Sequence, residues 1–251
     1  MVLRPTVAAA RLALVLLLAG AAGCGDTGPA PATSSAGTPP TRSASAGTPD
    51  VGLPSTEEAF RDARTFALAA GSARAVGTVV RGGREVRIEL EGDAAGTNQH
   101  VVVEQKGAGL ADVLTVDEEH WLAGDLDFWR GRGESPEVAR ASAAGWHEVP
   151  GAQARRVAPW TLRTLLTDIF ARADVGALES DPVPVVPDEV GGREAWVLGR
   201  TDGPRLWVAA DGGGELLRLL VPGEEPTDLR FSDWGRVQPL GPPDPDRVVP
   251  R

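Results

Sequence analysis

The chain has 251 residues, 42% of them hydrophobic, and a formal net charge of −10 at neutral pH. That length is enough for one substantial domain with its own core. The acidic balance argues against nucleic acid as a partner and against electrostatic binding to anionic lipid, because both need clustered Lys and Arg. The chain contains a single cysteine, Cys24, so it cannot form an internal disulfide.

Residues 1–23 have the order of an export signal. Arg4 and Arg11 precede an apolar run, which then shifts to small residues directly before Cys24. The apolar stretch from Leu12 to Ala22 is shorter than the roughly 20 residues that a permanent membrane-spanning helix needs, so we expect it to be removed. Small residues before a cysteine resemble the lipobox of bacterial lipoproteins, although Ala21 stands where that motif usually has Leu.

Cys24 is therefore predicted to be a lipid attachment site, carrying a diacylglyceryl group, rather than a structural or reactive thiol. Acylation would remove the free thiol of an exported protein. Two acyl chains also hold a protein on a membrane where a single chain binds only marginally. The prediction places the protein on the outer face of the cytoplasmic membrane. The alternative is an ordinary secretory signal followed by an incidental cysteine.

Residues 24–54 are predicted to be a tether. From Gly25 to Pro54 the segment consists mostly of Gly, Ala, Pro, Ser and Thr, and it offers too little apolar surface to offset the entropy of ordering. As a flexible coil it would span on the order of 30 Å. The folded domain is predicted over residues 55–240, and a Pro-rich tail of irregular structure over residues 241–251.

The folded region is predicted to begin with a helix and continue with strands. Ser55 and Glu58 have the spacing of a capping box, and an apolar helical face follows until Gly71. Alternating apolar and polar residues then predict an antiparallel meander with one buried face. A tight turn is expected at Gly82-Gly83. The predicted strands of this meander lie near residues 76–80, 86–90, 101–103, 114–116 and 120–123.

Helical patterns interrupt the strands in the middle of the chain. Ser135-Pro136 opens a short helix, and Pro159 opens a longer amphipathic helix whose apolar residues recur at three- and four-residue spacing. Strands are then predicted at Ala195–Leu198, Leu206–Ala210, Leu216–Val221 and Leu229–Trp234. This order predicts an α+β fold, with a single long antiparallel sheet and helices gathered on one face.

Several segments resemble the actinobacterial LppX/LprG family of half-barrel lipoproteins, themselves similar in fold to the periplasmic carrier LolA. The segments are DFWRG from Asp127, GWHEVPG from Gly145, the leucine-rich helix after Pro159, LWVAADG from Leu206 and LRFSDWG from Leu229. The resemblance spans about Glu57 to Pro239. It implies a curved antiparallel sheet with helices packed on its concave face, and a protein that binds or transfers a lipid or an acylated small molecule between them.

The long helix and the strands opposite it supply the residues predicted to line such a cavity, which must be apolar with few polar groups at its mouth. Trp129 and Trp160, in or beside the helical insert, are the candidates for the mouth. The same residues could instead close a dry core, an alternative that their spacing leaves open. The candidates are Val86, Ile88, Leu90, Val101, Val103, Trp129, Trp160, Leu162, Leu165, Leu166, Ile169, Phe170 and Leu217.

Catalytic and metal-binding patterns are scarce, with no nucleophile elbow, zinc-protease motif or phosphate loop. The cluster from Asp117 to His120 is more typical of a charged turn than of metal ligands. Asp125 and Asp127 are more typical of the start of a short helix. We therefore predict a monomeric, non-enzymatic protein with no cofactor and no metal. The alternatives are an anchored module that docks an envelope protein and has a self-filled core, and a hydrolase with a dispersed site.

Overall fold

The computed structural model describes residues 53–172 and 184–250. The predicted signal, Cys24 and nearly all of the predicted tether lie outside the described residues. Within the described ranges, no helix combines the length and the apolar character that crossing a bilayer requires.

The described chain contains five α-helices and eleven strands, followed by a short 3₁₀ turn at Pro245–Arg247. The helices are α1 (Thr56–Ala69), α2 (Leu126–Gly131), α3 (Pro136–Ser142), α4 (Gly151–Val157) and α5 (Leu162–Arg172). The strands are β1 (Ser72–Arg81), β2 (Arg84–Asp93), β3 (Asn98–Gln105), β4 (Gly109–Val116), β5 (Glu119–Gly124), β6 (His147–Glu148), β7 (Val186–Val190), β8 (Arg193–Leu198), β9 (Arg205–Ala209), β10 (Leu216–Val221) and β11 (Thr227–Ser232).

All eleven strands join one antiparallel sheet, in the order β6-β5-β4-β3-β2-β1-β11-β10-β9-β8-β7. Each half of the sheet is a meander in which consecutive strands pair. The two halves meet where β1 pairs with β11, with Ala75 opposite Phe231. The outer strands β6 and β7 do not pair with each other, so the sheet is not closed into a barrel. The predicted α+β fold with one large antiparallel sheet is confirmed.

Local signals in the sequence set several of the element boundaries. The Ser55 hydroxyl accepts a hydrogen bond from the Glu58 amide at 3.1 Å and caps α1. Gly82 and Gly83 have φ values of 57° and 72°, which glycine adopts without steric cost, and they form the predicted turn. Asp117 and Glu118 also have positive φ and join β4 to β5. The charged turn predicted there is confirmed.

Three elements were not expected from the sequence, and the long helix begins later than predicted. The unexpected elements are β6, α4 and β7, which are short or, for β7, lack an alternating apolar pattern. The long helix begins at Leu162 rather than at Pro159. Thr161 and Thr164 fix this start, because the hydroxyl of each accepts a hydrogen bond from the backbone amide of the other, at 3.2 and 2.9 Å.

The main core lies between the helices and one face of the sheet. Side chains from α1 and α5 share one buried cluster with alternate residues of β2, among them Ile88 and Leu90. Phe60 of α1 and Phe170 of α5 meet edge to face, with ring centroids 5.7 Å apart. This arrangement agrees with the prediction that helices gather on one side of a single sheet.

A second and smaller cluster lies on the opposite face, at the β7 end of the sheet. Trp207 is its largest member, and it packs with Ala195, Ala209 and Leu217. Its neighbours along β9, including Leu206, belong to the main core, and successive side chains of a strand point to opposite faces. The two clusters are therefore separated by the sheet.

The segment after residue 240 is attached to the domain. The Asn98 side chain donates to the Leu240 carbonyl at 2.8 Å and accepts from the Leu240 amide at 2.7 Å. The Trp146 amide donates to the Arg247 carbonyl at 2.8 Å, and the Trp146 carbonyl accepts from the Val249 amide at 2.8 Å. The predicted irregular tail thus has little regular structure but fixed hydrogen-bond partners.

Candidate functional site

A narrow apolar cleft lies between α5 and strands β1, β10 and β11, with a volume of about 20 Å³. Arg81 and Asp168 lie at its edge, both about half exposed, with Nη2 and Oδ2 3.7 Å apart. The Arg81 guanidinium also lies over the Trp160 ring, 5.9 Å from its centroid. The hydrophobic residues that line this apolar cleft are Val79, Leu165, Ile169, Leu219 and Val221.

Most of the residues predicted to line a cavity are buried in the main core, where they pack against one another. Leu165 and Ile169 also line the apolar cleft. Val103 packs against the same core while only partly buried. The buried set is Val86, Ile88, Leu90, Val101, Trp129, Trp160, Leu162, Leu165, Leu166, Ile169 and Phe170.

Leu217 does not lie opposite α5, because it belongs to the cluster on the other face of the sheet. The register between β9 and β10 shifts between Leu216 and Arg218, and this irregularity changes which residues of β10 point inward. Leu219 lines the apolar cleft in its place.

A larger and more polar pocket lies over β3, β4 and β5, with a volume of about 250 Å³. One wall is formed by the sheet, and the other by α4 and the segment that leads into α5. We call it the polar pocket. Its lining residues are Ala95, Gly96, Gln99, Val113, Thr115, His120, Ala154, Arg155, Ala158, Pro159, Trp160 and Thr161.

The turn between β2 and β3 fixes one end of the polar pocket. The Asp93 carboxylate accepts hydrogen bonds from the Gly96 and Asn98 amides and from the Thr97 hydroxyl, each at 2.6 Å. Burial raises the pKa of Asp93, but these bonds and one from the Thr97 amide lower it by more, so the carboxyl stays ionised. Gly96 has a φ of 77°, and a Cβ there would lie 2.5 Å from the Thr161 Cγ2, so this approach requires glycine.

Gln99 is the buried polar group of this pocket, with only 6% of its surface exposed. Its Nε2 donates to the Trp160 carbonyl at 3.3 Å. Since that carbonyl can only accept, it fixes which way the amide points. The Gln99 Oε1 is buried with no hydrogen-bond partner among the described residues. Leaving such an acceptor unpaired costs about 1–3 kcal/mol.

His120 and Arg155 bring further polar groups to the pocket. The His120 Nδ1 lies 3.0 Å from the Thr115 hydroxyl. Burial lowers the pKa of His120, the nearby Arg155 cation lowers it further, and Glu118 partly opposes them. The ring is therefore neutral at pH 7. Arg155 itself has no carboxylate partner within the part of the chain that the structure describes.

The two tryptophans predicted for a cavity mouth have different surroundings. Trp160 lines the polar pocket. Trp129 lines neither the apolar cleft nor the polar pocket. Its Nε1 donates to the Gly124 carbonyl at 3.1 Å, and its ring meets those of Phe128 and His147, each with centroids 5.1 Å apart.

Three residues of the polar pocket were not expected from the sequence, namely Gln99, Thr115 and Arg155. The sequence did contain a signal for Gln99. It lies two residues before Val101 on β3, so the two side chains are on the same, inward face of the strand. Among residues 53–172 and 184–250, no three His, Cys, Asp or Glu side chains are grouped so that they could hold a metal ion. Asp125 caps α2, its Oδ1 accepting from the Phe128 amide at 2.7 Å.

No protein-family model and no curated protein matches the chain. Among solved structures, LprF from Mycobacterium bovis is similar at 15% identity, covering 77% of this chain and 99% of that chain, with a TM-score of 0.44. The Mycobacterium tuberculosis lipoprotein LppX is similar at 12% identity, with coverages of 74% and 97% and a TM-score of 0.40. An uncharacterised conserved protein from Thermus thermophilus is similar at 14% identity, with coverages of 76% and 97% and a TM-score of 0.32.

Proposed function

We propose that the protein is an exported lipoprotein, anchored through Cys24 on the outer face of the cytoplasmic membrane, that binds and transfers a lipid or acylated ligand. The ligand's acyl chain would lie between α5 and the sheet. The observation that carries this proposal is the apolar cleft, in which Leu165 and Ile169 of the helix face Val79 and Leu219 of the strands. The lipobox-like sequence before Cys24 supports the anchor.

The apolar cleft must widen to admit an acyl chain, because its volume of about 20 Å³ has room for only about one water molecule. Each methylene that enters would gain about 0.8 kcal/mol by leaving water. The chain would replace contacts that Leu165 and Ile169 now make with the strands. The ion pair between Arg81 and Asp168 opposes opening only weakly, because a half-exposed pair contributes about 0–1 kcal/mol.

A second candidate function is an anchored interaction module that carries no ligand and docks an envelope protein. The observation that favours it is the filled core under α5. Leu162, Leu166 and Ile88 are each at most 1% exposed. In such a protein the helix would remain on the sheet and the outer surface would carry the activity.

Native mass spectrometry of the chain from Gly25, purified without detergent, distinguishes the two candidates. We expect a lipid-sized adduct that organic extraction removes. Ile169→Trp should abolish the adduct by filling the apolar cleft. The matched control is Val138→Trp, which introduces the same side chain into α3 at a position that is 46% exposed. A protein that is empty as purified, and that also takes up no phospholipid from vesicles, would favour the interaction module.

A further inference from the structure

Strand β7 ends the sheet, and one side of its backbone faces away from β8. The Glu194 carbonyl of β8 accepts a hydrogen bond from the Ala210 amide, directly after β9, at 3.0 Å. In an antiparallel pair, opposed residues either bond to each other or both point away. Glu189 lies opposite Glu194, so its backbone N–H and carbonyl point outward from the sheet. Pro187, two residues earlier, has the same orientation, because the pattern alternates along the strand.

The outward side of Val186–Val190, which we call the β7 edge, has no free hydrogen-bond donor among the described residues that point outward. Pro187 has no backbone N–H, and the Glu189 N–H donates to Asp188 Oδ1 at 2.8 Å. The carbonyls of Pro187 and Glu189 remain as acceptors. An added strand needs donors that alternate with acceptors, so it could form only half of its ladder here.

Asp188 is also fixed by a second contact. Its Oδ2 accepts a hydrogen bond from Trp207 Nε1 at 2.8 Å, and Trp207 is only 3% exposed. The bond from Trp207 lowers the pKa of Asp188 most, and the bond from the Glu189 amide lowers it further, so the carboxylate is ionised at neutral pH. Asp is otherwise depleted in strands. These contacts give it a specific role at this position.

The opposite end of the sheet is covered in another way. Beside β6, the backbone of Trp146 bonds to that of Arg247 and Val249 in the C-terminal segment. The chain thus covers one end with its own backbone and removes the free donors at the other. Protection matters at β7 because Val186 is 54% exposed, and an exposed apolar edge strand favours association.

We propose that Pro187 and Asp188 close the β7 edge to a strand from a second copy of this chain. The second copy is the relevant partner because it carries the same edge, and two identical strands can pair antiparallel about a twofold axis. The proposal is independent of lipid binding. It also means that an envelope protein docked by the second candidate function would use a surface other than the β7 edge.

Sedimentation velocity and amide hydrogen exchange of the full-length protein, in detergent micelles that accommodate the proposed anchor, test this closure. Asp188→Ala should free the Glu189 N–H, which should then exchange about tenfold faster because one hydrogen bond is lost. Mass spectrometry of the peptide that contains β7 measures the exchange. Adding Pro187→Thr supplies a second outward N–H. The double variant should dimerise at concentrations at which the parent protein is monomeric.

Two control variants separate this explanation from simpler ones. Glu189→Gln removes one negative charge from the same strand but leaves the backbone donors unchanged, so it should remain monomeric. Trp207→Phe removes the second bond to Asp188 without freeing the Glu189 N–H, and it should also remain monomeric. Thermal unfolding of each variant checks that it is folded.

A monomeric double variant would overturn the proposal, as would dimerisation of either control variant to the same extent. Equal exchange of the Glu189 amide in the parent protein and in Asp188→Ala would also overturn it. That measurement needs only the single substitution, so it remains decisive if the double variant does not fold.

Discussion

Helices α5 and α4 cover the same face of one sheet in different ways. Beneath α5, apolar side chains such as Ile88 and Leu90 of β2 pack in the main core with a leucine-rich helix. The cleft that remains, beside β1, β10 and β11, has a volume of only about 20 Å³. Beneath α4, inward-facing positions of β3 and β4 carry Gln99 and Thr115, and a pocket of about 250 Å³ remains. The two regions differ in the side chains that the sheet presents to the helices.

This contrast separates a closely packed region, in which a ligand would have to displace existing contacts, from a region that already holds an open pocket. Close packing beneath α5 gains transfer free energy and dispersion contacts. Buried core residues such as Val113 and Trp160 also form walls of the polar pocket, but this region contains a buried acceptor without a partner among the described residues. Departures from a consistently packed interior are expected at functional sites.

Leu166→Ala should have the largest effect on stability. Leu166 is 1% exposed beneath α5, and truncation of a buried leucine costs about 2–5 kcal/mol of unfolding free energy. Urea denaturation followed by circular dichroism measures it. Val138→Ala, on the exposed face of α3, should cost less than about 0.5 kcal/mol. Equal losses in the two variants would mean that α5 is not tightly packed.

Gly151→Ala should destabilise the region beneath α4 by about 1–3 kcal/mol, through overpacking. The new Cβ would lie 2.7 Å from His120 Nε2, and the ring would have to move. The control is Gly241→Ala, where nothing lies within 4 Å of the added methyl. An unchanged urea midpoint for Gly151→Ala would show that the His120 ring can move away without a cost in stability.

Arg81→Gln should lower the free energy of unfolding by only about 0–1 kcal/mol, because solvent screens the ion pair that the substitution breaks. The Arg81 and Asp168 side chains are 46% and 54% exposed. The same denaturation experiment measures it, and added salt should reduce the difference from the parent protein. A loss above about 2 kcal/mol would mean that this pair closes the apolar cleft more firmly than an exposed pair can.

His120→Gln should change the free energy of unfolding least of the four substitutions at pH 7.5. A measurable change is expected only at acidic pH. Burial and Arg155 lower the pKa of His120 below its ordinary 6.5, so the unfolded chain takes up a proton before the folded chain does. The stability contributed by the neutral ring is therefore complete above pH 6.5 and is lost as the pH falls through the lowered value. The decrease in the urea midpoint from pH 7.5 to pH 5.5 should be smaller in the variant than in the parent protein. An equal fall would contradict the neutral ring.

Local patterns predicted the helices and strands whose signals are strong. The capping spacing at Ser55 located α1, and apolar alternation located β2 because its Val86, Ile88 and Leu90 all point inward. The same logic missed β7, whose sequence VPDEV has no alternation because the strand lies at the exposed edge of the sheet. It also missed α4, in which Ala154 is the buried residue.

The candidate sites were less predictable, because they depend on contacts between distant segments. The spacing of Leu165 and Ile169 identified the helix face but not whether the space beneath it was filled. Leu217 was assigned to that space because the alternation of β10 hides a register shift. The polar pocket needed Gln99 and Arg155 to meet, and no local pattern in the sequence links them.

The pairing of β1 with β11 also governs how the domain can fold. These strands lie at opposite ends of the folded sequence yet are neighbours in the middle of the sheet. Folds rich in such long-range pairings form slowly, since the loop entropy is lost before the contacts are gained. During synthesis from the N-terminus, the edge of β1 would stay unpaired until β11 emerged. In that interval β1 would be exposed to other unfolded chains, and the rate of chain elongation would determine how long the exposure lasts.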